Sequence, residues 1–130
     1  MNTQYSAQVA STRPTAVVID DSSLTRAAFG QVYSALDVVA TFSSVDAFLA
    51  AAFTVDVVIL DLMLNPDLDT PMLQGPKAIQ ELTRRGHRVC IYSDERRMLI
   101  LARCFSAGAL GLARKSDPLE DNQAAFLRVA

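Results

Sequence analysis

The chain has 130 residues, 51% of them apolar and 20% charged, with a formal net charge of −2. That length suits one domain whose core needs no disulfide or metal staple, and the near-neutral charge argues against a nucleic-acid surface. No apolar run approaches the ~20 residues of a membrane span, and no basic-then-apolar segment marks a signal peptide. Cys90 and Cys104, with His87 the only histidine, do not make a zinc site and are expected to be reduced core thiols of an intracellular protein.

Residues 1–14 are polar and irregular, so a disordered leader is expected there, with the folded domain spanning 15–130. Thr15 to Ile19 is an apolar run ending on Asp20. Asp21 or Ser22 can cap a following helix, in which Leu24, Ala27, Ala28, Val32, Ala35 and Leu36 recur at helical spacing. Val38 to Phe42 predicts a short strand, and Ser43-Ser44 the cap of a short helix reaching about Ala52. Val57 to Leu60 is uninterrupted, rich in Val and Ile, and ends on Asp61. A run this short predicts a strand buried on both faces, as in a parallel sheet.

The segment from Asn65 to Gly75 holds two prolines and a glycine and is expected to form no regular element. Pro76 suits the first turn of a helix and Gly86 its end. Arg88 to Ser93 predicts a fourth strand, ending on a hydroxyl, and Glu95 to Ala107 a helix stopped by Gly108. Ala109 to Ala113 is the last strand, leading to Arg114-Lys115, and Pro118 opens the final helix. Strand and helix alternate five times, which predicts an α/β domain with a doubly wound five-stranded parallel sheet and helices on both faces.

Functional residues of open parallel sheets gather just past the carboxyl ends of the strands. Asp20-Asp21, Asp61, Ser93 and Lys115 all stand there. Singly, each has a plain role as a helix cap, a turn residue or a surface group. Together they suggest chemistry, because three clustered carboxylates repel one another unless a cation sits among them. An oxygen-only donor set without His or Cys suits a hard cation, Mg²⁺ rather than Ca²⁺ in an exposed site. Asp61 could act as a nucleophile that forms an acyl phosphate, with Lys115 offering a charge and Ser93 a donor to phosphoryl oxygens. His87, just before a strand, is read as solvated and given no role, and Arg84-Arg85 and Arg96-Arg97 are read as solvated helix ends.

The runs Val-Val-Ile-Asp-Asp-Ser, Ile-Leu-Asp-Leu-Met-Leu, Ile-Tyr-Ser and Ala-Gly-Ala-Leu-Gly-Leu-Ala-Arg-Lys-Ser resemble, in order and spacing, the receiver domain of bacterial two-component response regulators. The resemblance covers the chain from about Thr15 onward, and Lys-Ser-Asp-Pro is similar to receivers joined to LuxR-type helix-turn-helix output domains. It implies a flavodoxin-like sheet of order 2-1-3-4-5. It also implies Asp61 as phospho-acceptor, Ser93 as switch hydroxyl and Lys115 as the phosphate-binding residue. Mg²⁺ would be held by Asp20, Asp21, Asp61 and the backbone carbonyl of Met63. The implied partner is a sensor histidine kinase in the cytoplasm, with a homodimer through the last strands and helices as a further partnership. This domain itself would bind neither nucleic acid nor membrane; control of transcription would come from a DNA-binding domain beyond this chain. Enzymatic activity would be limited to self-phosphorylation and self-dephosphorylation.

Three departures from the family stand out. The glycine after the acceptor comes late, as Gly75, so the intervening loop is long and carries Asp67 and Asp69, which could reach the metal or repel a phosphodonor. Asp94 takes the place of a very small residue after the switch hydroxyl, and Leu112 that of an aromatic on the last strand. The departures support an alternative, an atypical receiver acting as a phosphorylation-independent interaction module. A phosphohydrolase of the haloacid-dehalogenase kind would need a second aspartate two residues after Asp61, where Met63 stands.

Overall fold

Five short apolar runs lie side by side as parallel strands in the order β2-β1-β3-β4-β5, the order that the resemblance implies. They are β1 (Thr15–Ile19), β2 (Asp37–Phe42), β3 (Val57–Leu60), β4 (Val89–Tyr92) and β5 (Gly111–Ala113). Between and after them run α1 (Ser23–Val32), α2 (Val45–Ala51), α3 (Pro71–Arg84), α4 (Met98–Ser106) and α5 (Leu119–Val129). The computed structural model describes residues 12–62 and 71–130, the side chains of 71–74 excepted.

Every residue of β3 and β4 is buried, as expected of strands covered on both faces. Alternation along the strands divides the core in two. Val58, Leu60 and Ile91 face a cluster completed by Phe48 of α2, Ile79 and Leu82 of α3, and Ile100, Leu101 and Cys104 of α4. Val57, Ile59, Cys90 and Tyr92 face another, completed by Phe29 of α1 and Ala125, Phe126 and Val129 of α5. Parallel register sets Ile19 beside Leu60, Leu60 beside Ile91 and Tyr92 beside Ala113, so the carboxyl ends finish level. The Ser22 hydroxyl accepts from the Thr25 N–H at 3.2 Å and caps α1; Ser44, not Ser43, caps α2 through the Ala47 N–H at 3.1 Å.

Several expectations are corrected. The buried face of α1 belongs to Phe29, with Tyr33 one turn on, while Leu24 and Val32 are 78% and 43% exposed. The two rings meet at 4.7 Å, and this bulky pair decides the face over the smaller apolar residues around it. The helix ends at Val32, so Ala35 and Leu36 lie beyond it. Helix α3 begins at Pro71 rather than Pro76, so residues 71–75 are helical and not irregular. A first-turn proline needs no hydrogen bond from its nitrogen, which favours the start at Pro71. Gly75 is accommodated for a packing reason: a Cβ there would approach Leu62 Cδ2 to 3.2 Å. Helix α4 starts at Met98, later than Glu95.

His87 is half-buried, its ring 4.9 Å from that of Phe48, and burial lowers its pKa, so it is not simply solvated. Cys90 and Cys104 are free and buried, and desolvation pushes their thiols up to about 12 and about 11. Residues 1–11 of the expected leader, and Met63, Asp67 and Asp69, lie outside the described residues. At its end, Arg13 donates to the Ser34 carbonyl at 3.2 Å. No helix among the described residues is long and apolar enough to cross a membrane.

Candidate functional site

The residue after each of three strands continues the backbone ladder of the sheet. Asp20 N–H donates to the Phe42 carbonyl at 3.0 Å, Asp61 N–H to that of Ile19 at 2.9 Å, and Ser93 N–H to that of Ala113 at 3.1 Å. The three side chains are therefore carried at the sheet's edge by strand geometry rather than by free loops, and all are buried, with relative exposures of 1%, 4% and 1%. Asp21, next along, is exposed. Carboxylate oxygens of Asp20, Asp21 and Asp61 lie within 4.8 Å of one another.

Lys115 comes in from the turn after β5. Its Nζ donates to Asp20 Oδ2 at 3.0 Å, stands 3.7 Å from Asp61 Oδ1, and lies 5.4 Å from the centre of the Tyr92 ring. Burial works against its charge, but the Asp20 hydrogen bond and the neighbouring Asp61, Asp20 and Asp21 carboxylates outweigh it, so its pKa is raised. Asp20 Oδ1 meanwhile accepts from the Ser22 N–H at 2.9 Å, and Arg26 donates to the Asp20 carbonyl at 2.6 Å. Thus Asp20, Asp21, Asp61 and Lys115 converge as the sequence suggested, with Ser93 just past the end of β4. Three carboxyl groups facing one ammonium, with oxygen donors alone, fit a hard divalent cation such as Mg²⁺.

The loops after β4 and β5 are joined in ways that the sequence did not reveal. Ser93 Oγ accepts from the Glu95 N–H at 3.1 Å. Asp94 does not point freely into solvent: its Oδ1 accepts from both the N–H and the hydroxyl of Ser116, each at 3.0 Å, and these bonds lower its pKa. The Arg97 side-chain bond takes the Glu95 carboxyl down to about 2, its two oxygens accepting from Arg97 Nε and Nη2 at 2.8 Å each. Arg97 is thus paired, not merely a solvated helix end. Arg114 donates to the Glu95 carbonyl at 2.8 Å.

Beneath the site lies a buried polar chain. Tyr92 and Tyr33 hydroxyls meet at 3.3 Å, and Asn122 Nδ2 donates to Tyr33 Oη at 3.2 Å and to the Arg114 carbonyl at 2.9 Å. No buried side-chain polar atom among the described residues lacks a partner. Leu112, where an aromatic was expected by resemblance, packs half-buried against the Phe48 cluster. An aromatic that does contact the pocket's lysine is Tyr92, one strand over and on the opposite face. One signal for Asn122 was present in the sequence: a lone amide sharing a helical face with Ala125, Phe126 and Val129.

No family profile and no curated protein matches the chain by sequence. Solved structures do match in fold. A two-component response regulator of the LuxR family from Aurantimonas sp. SI85-9A1 superposes with a TM-score of 0.76 at 21% identity, covering 91% of this chain and 85% of its own. The signal receiver domain of the putative response regulator NarL from Mycobacterium tuberculosis gives 0.73 at 23% identity, covering 89% and 94%. The BeF3-activated DrrB receiver domain gives 0.72 at 21% identity, covering 91% and 97%. The chain has the fold of response-regulator receiver domains.

Proposed function

We propose that this chain, built on the receiver fold, is a phospho-acceptor signalling switch of a two-component system. The observation that carries the reading is the meeting of Asp20, Asp21, Asp61 and Lys115 at the carboxyl edge of the sheet, the lysine within 3.7 Å of both buried carboxylates. A carboxylate oxygen of Asp61 attacks the phosphorus of a sensor kinase's phosphohistidine, the P–N bond breaks, and the imidazole leaves with a proton. Asp20, Asp21 and Asp61 would hold Mg²⁺, with the Met63 carbonyl as the further ligand that the resemblance implies, and the bound ion would supply positive charge for the phosphoryl oxygens. Lys115 already spans Asp20 and Asp61 and moves little to reach a phosphoryl oxygen. The Ser93 hydroxyl donates to another, pulling the β4–α4 loop with it.

Residues 15–130 form the switching domain, preceded by a leader, in the cytoplasm. It stores a phosphoryl group rather than turning over a substrate. Met98, Leu99, Leu110 and Leu119 leave large apolar side chains exposed around α4, β5 and the start of α5, which supports a homodimer or partner surface there. Output through a DNA-binding domain beyond this chain is supported by neighbours such as a DNA-binding response regulator of the LuxR family from Staphylococcus aureus.

The test is incubation with acetyl phosphate and Mg²⁺ followed by intact mass. One phosphate is expected on the wild type and none on Asp61→Asn or after chelation of the metal. A folded wild type that gains no phosphate would instead favour a phosphorylation-independent interaction module, the reading that charged Asp94 beside Ser93 supports.

A further inference from the structure

Asp94 is the feature that fits phosphoryl acceptance least, and its surroundings show how the conflict is handled. Its backbone lies between Ser93 and Glu95, at the edge of a recess lined by residues 93–97. A carboxylate there would compete for Lys115 and repel an incoming phosphoryl group, which brings roughly −1.5 to −2 charges of its own. Yet Asp94 Oδ1 is taken by Ser116, the residue after Lys115, through two 3.0 Å hydrogen bonds. Lys115 Nζ keeps its contacts for Asp20 and Asp61.

We propose that Ser116 is a positioning residue for phosphoryl acceptance, restraining the Asp94 carboxylate so that Lys115 and the space beside Ser93 stay available to the phosphoryl group. The inference rests on Asp61 being a phospho-acceptor. An aspartate is charged at neutral pH with or without these bonds, so what they fix is its position, not its charge. Releasing it therefore frees a full negative charge at the mouth of the pocket. A brace that merely ties two loops together predicts something different, since loss of either partner would then have the same consequence.

The experiment compares initial rates of phosphate uptake from acetyl phosphate and Mg²⁺, by intact mass, for wild type, Ser116→Ala, Asp94→Ala and the double variant. Both side chains are exposed, so the fold tolerates the changes, and urea midpoints verify this. Ser116→Ala removes the hydroxyl bond and keeps the N–H bond, loosening the carboxylate rather than freeing it, and is expected to slow uptake roughly two- to threefold; Asp94→Ala should match or exceed wild type, and the double variant should recover the Asp94→Ala rate. The Ser116→Ala defect should also shrink as salt is raised, because the loosened charge is screened. Equal slowing in both single variants, or no slowing in Ser116→Ala, would overturn the proposal while leaving the phospho-acceptor reading intact. A wild type that takes up no phosphate at Asp61 removes both.

Discussion

Replacing Asn122 with alanine tests whether the buried chain beneath the pocket stabilises the fold as its geometry implies. Asn122 is 1% exposed and donates twice, to Tyr33 Oη and to the Arg114 carbonyl. Neither acceptor is left alone when it goes, since Tyr92 still meets Tyr33 and the Asp117 N–H still reaches the Arg114 carbonyl at 3.0 Å. The loss is therefore two net hydrogen bonds without an orphaned group, about 2 kcal/mol. Alanine's better helix propensity returns about 0.6 kcal/mol, leaving about 1.5 kcal/mol. With a urea slope near 2 kcal/mol/M, the midpoint should fall by about 0.7 M in equilibrium unfolding followed by circular dichroism. Asn122→Asp nearly preserves shape but buries a carboxylate against the Arg114 carbonyl, so it should cost clearly more, about 3 kcal/mol or above at neutral pH. An alanine variant within about 0.2 M of wild type, or an aspartate variant as stable as the alanine one, would refute this account.

Two other perturbations rest on the same geometry. The folded Glu95 carboxyl sits at about 2 against an ordinary 4.5, chiefly through Arg97, so the stability it contributes is present above pH 4.5 and is lost as pH falls toward 2. Arg97→Gln should move the acid-unfolding midpoint to higher pH, modestly and less so in high salt because Arg97 is exposed; an unchanged acid limb at low ionic strength would count against it. Gly108→Ala should lower the thermal midpoint by several degrees, corresponding to about 2–4 kcal/mol, since φ there is +124° and a Cβ would collide with the Thr83 side chain. A variant that melts with the wild type would contradict that packing.

The chemistry-bearing residues were legible because the strands announce themselves. Uninterrupted runs such as Val57–Leu60 and Val89–Tyr92 have few readings other than buried parallel strands, and the residue after each run is then placed at one edge of the sheet. Helix faces and starts were less legible. Leu24 and Val32 fit a helical period as well as Phe29 does, and only contact with Tyr33, Tyr92 and Phe126 decides which side is inside. Pro71 and Pro76 can each open a helix, and the close approach of Gly75 to Leu62 that the helix accommodates is a tertiary fact. The Asp94–Ser116 and Asn122–Tyr33 bonds join residues far apart in sequence, so no local pattern discloses the partner.

The ladder bonds made by Asp20, Asp61 and Ser93 give the pocket two mechanically unlike halves. The backbone under Asp20, Asp61 and Ser93 is an extension of the sheet and shifts only if the strands themselves separate, so any movement of the Ser93 hydroxyl is a side-chain rotation that acts on the loop through Glu95. Lys115 reaches in from a turn by a long side chain, which makes the cationic side the compliant one. Responsiveness in such a pocket is then tuned at the turn after β5 and its tethers, while the acceptor geometry stays as stiff as the sheet.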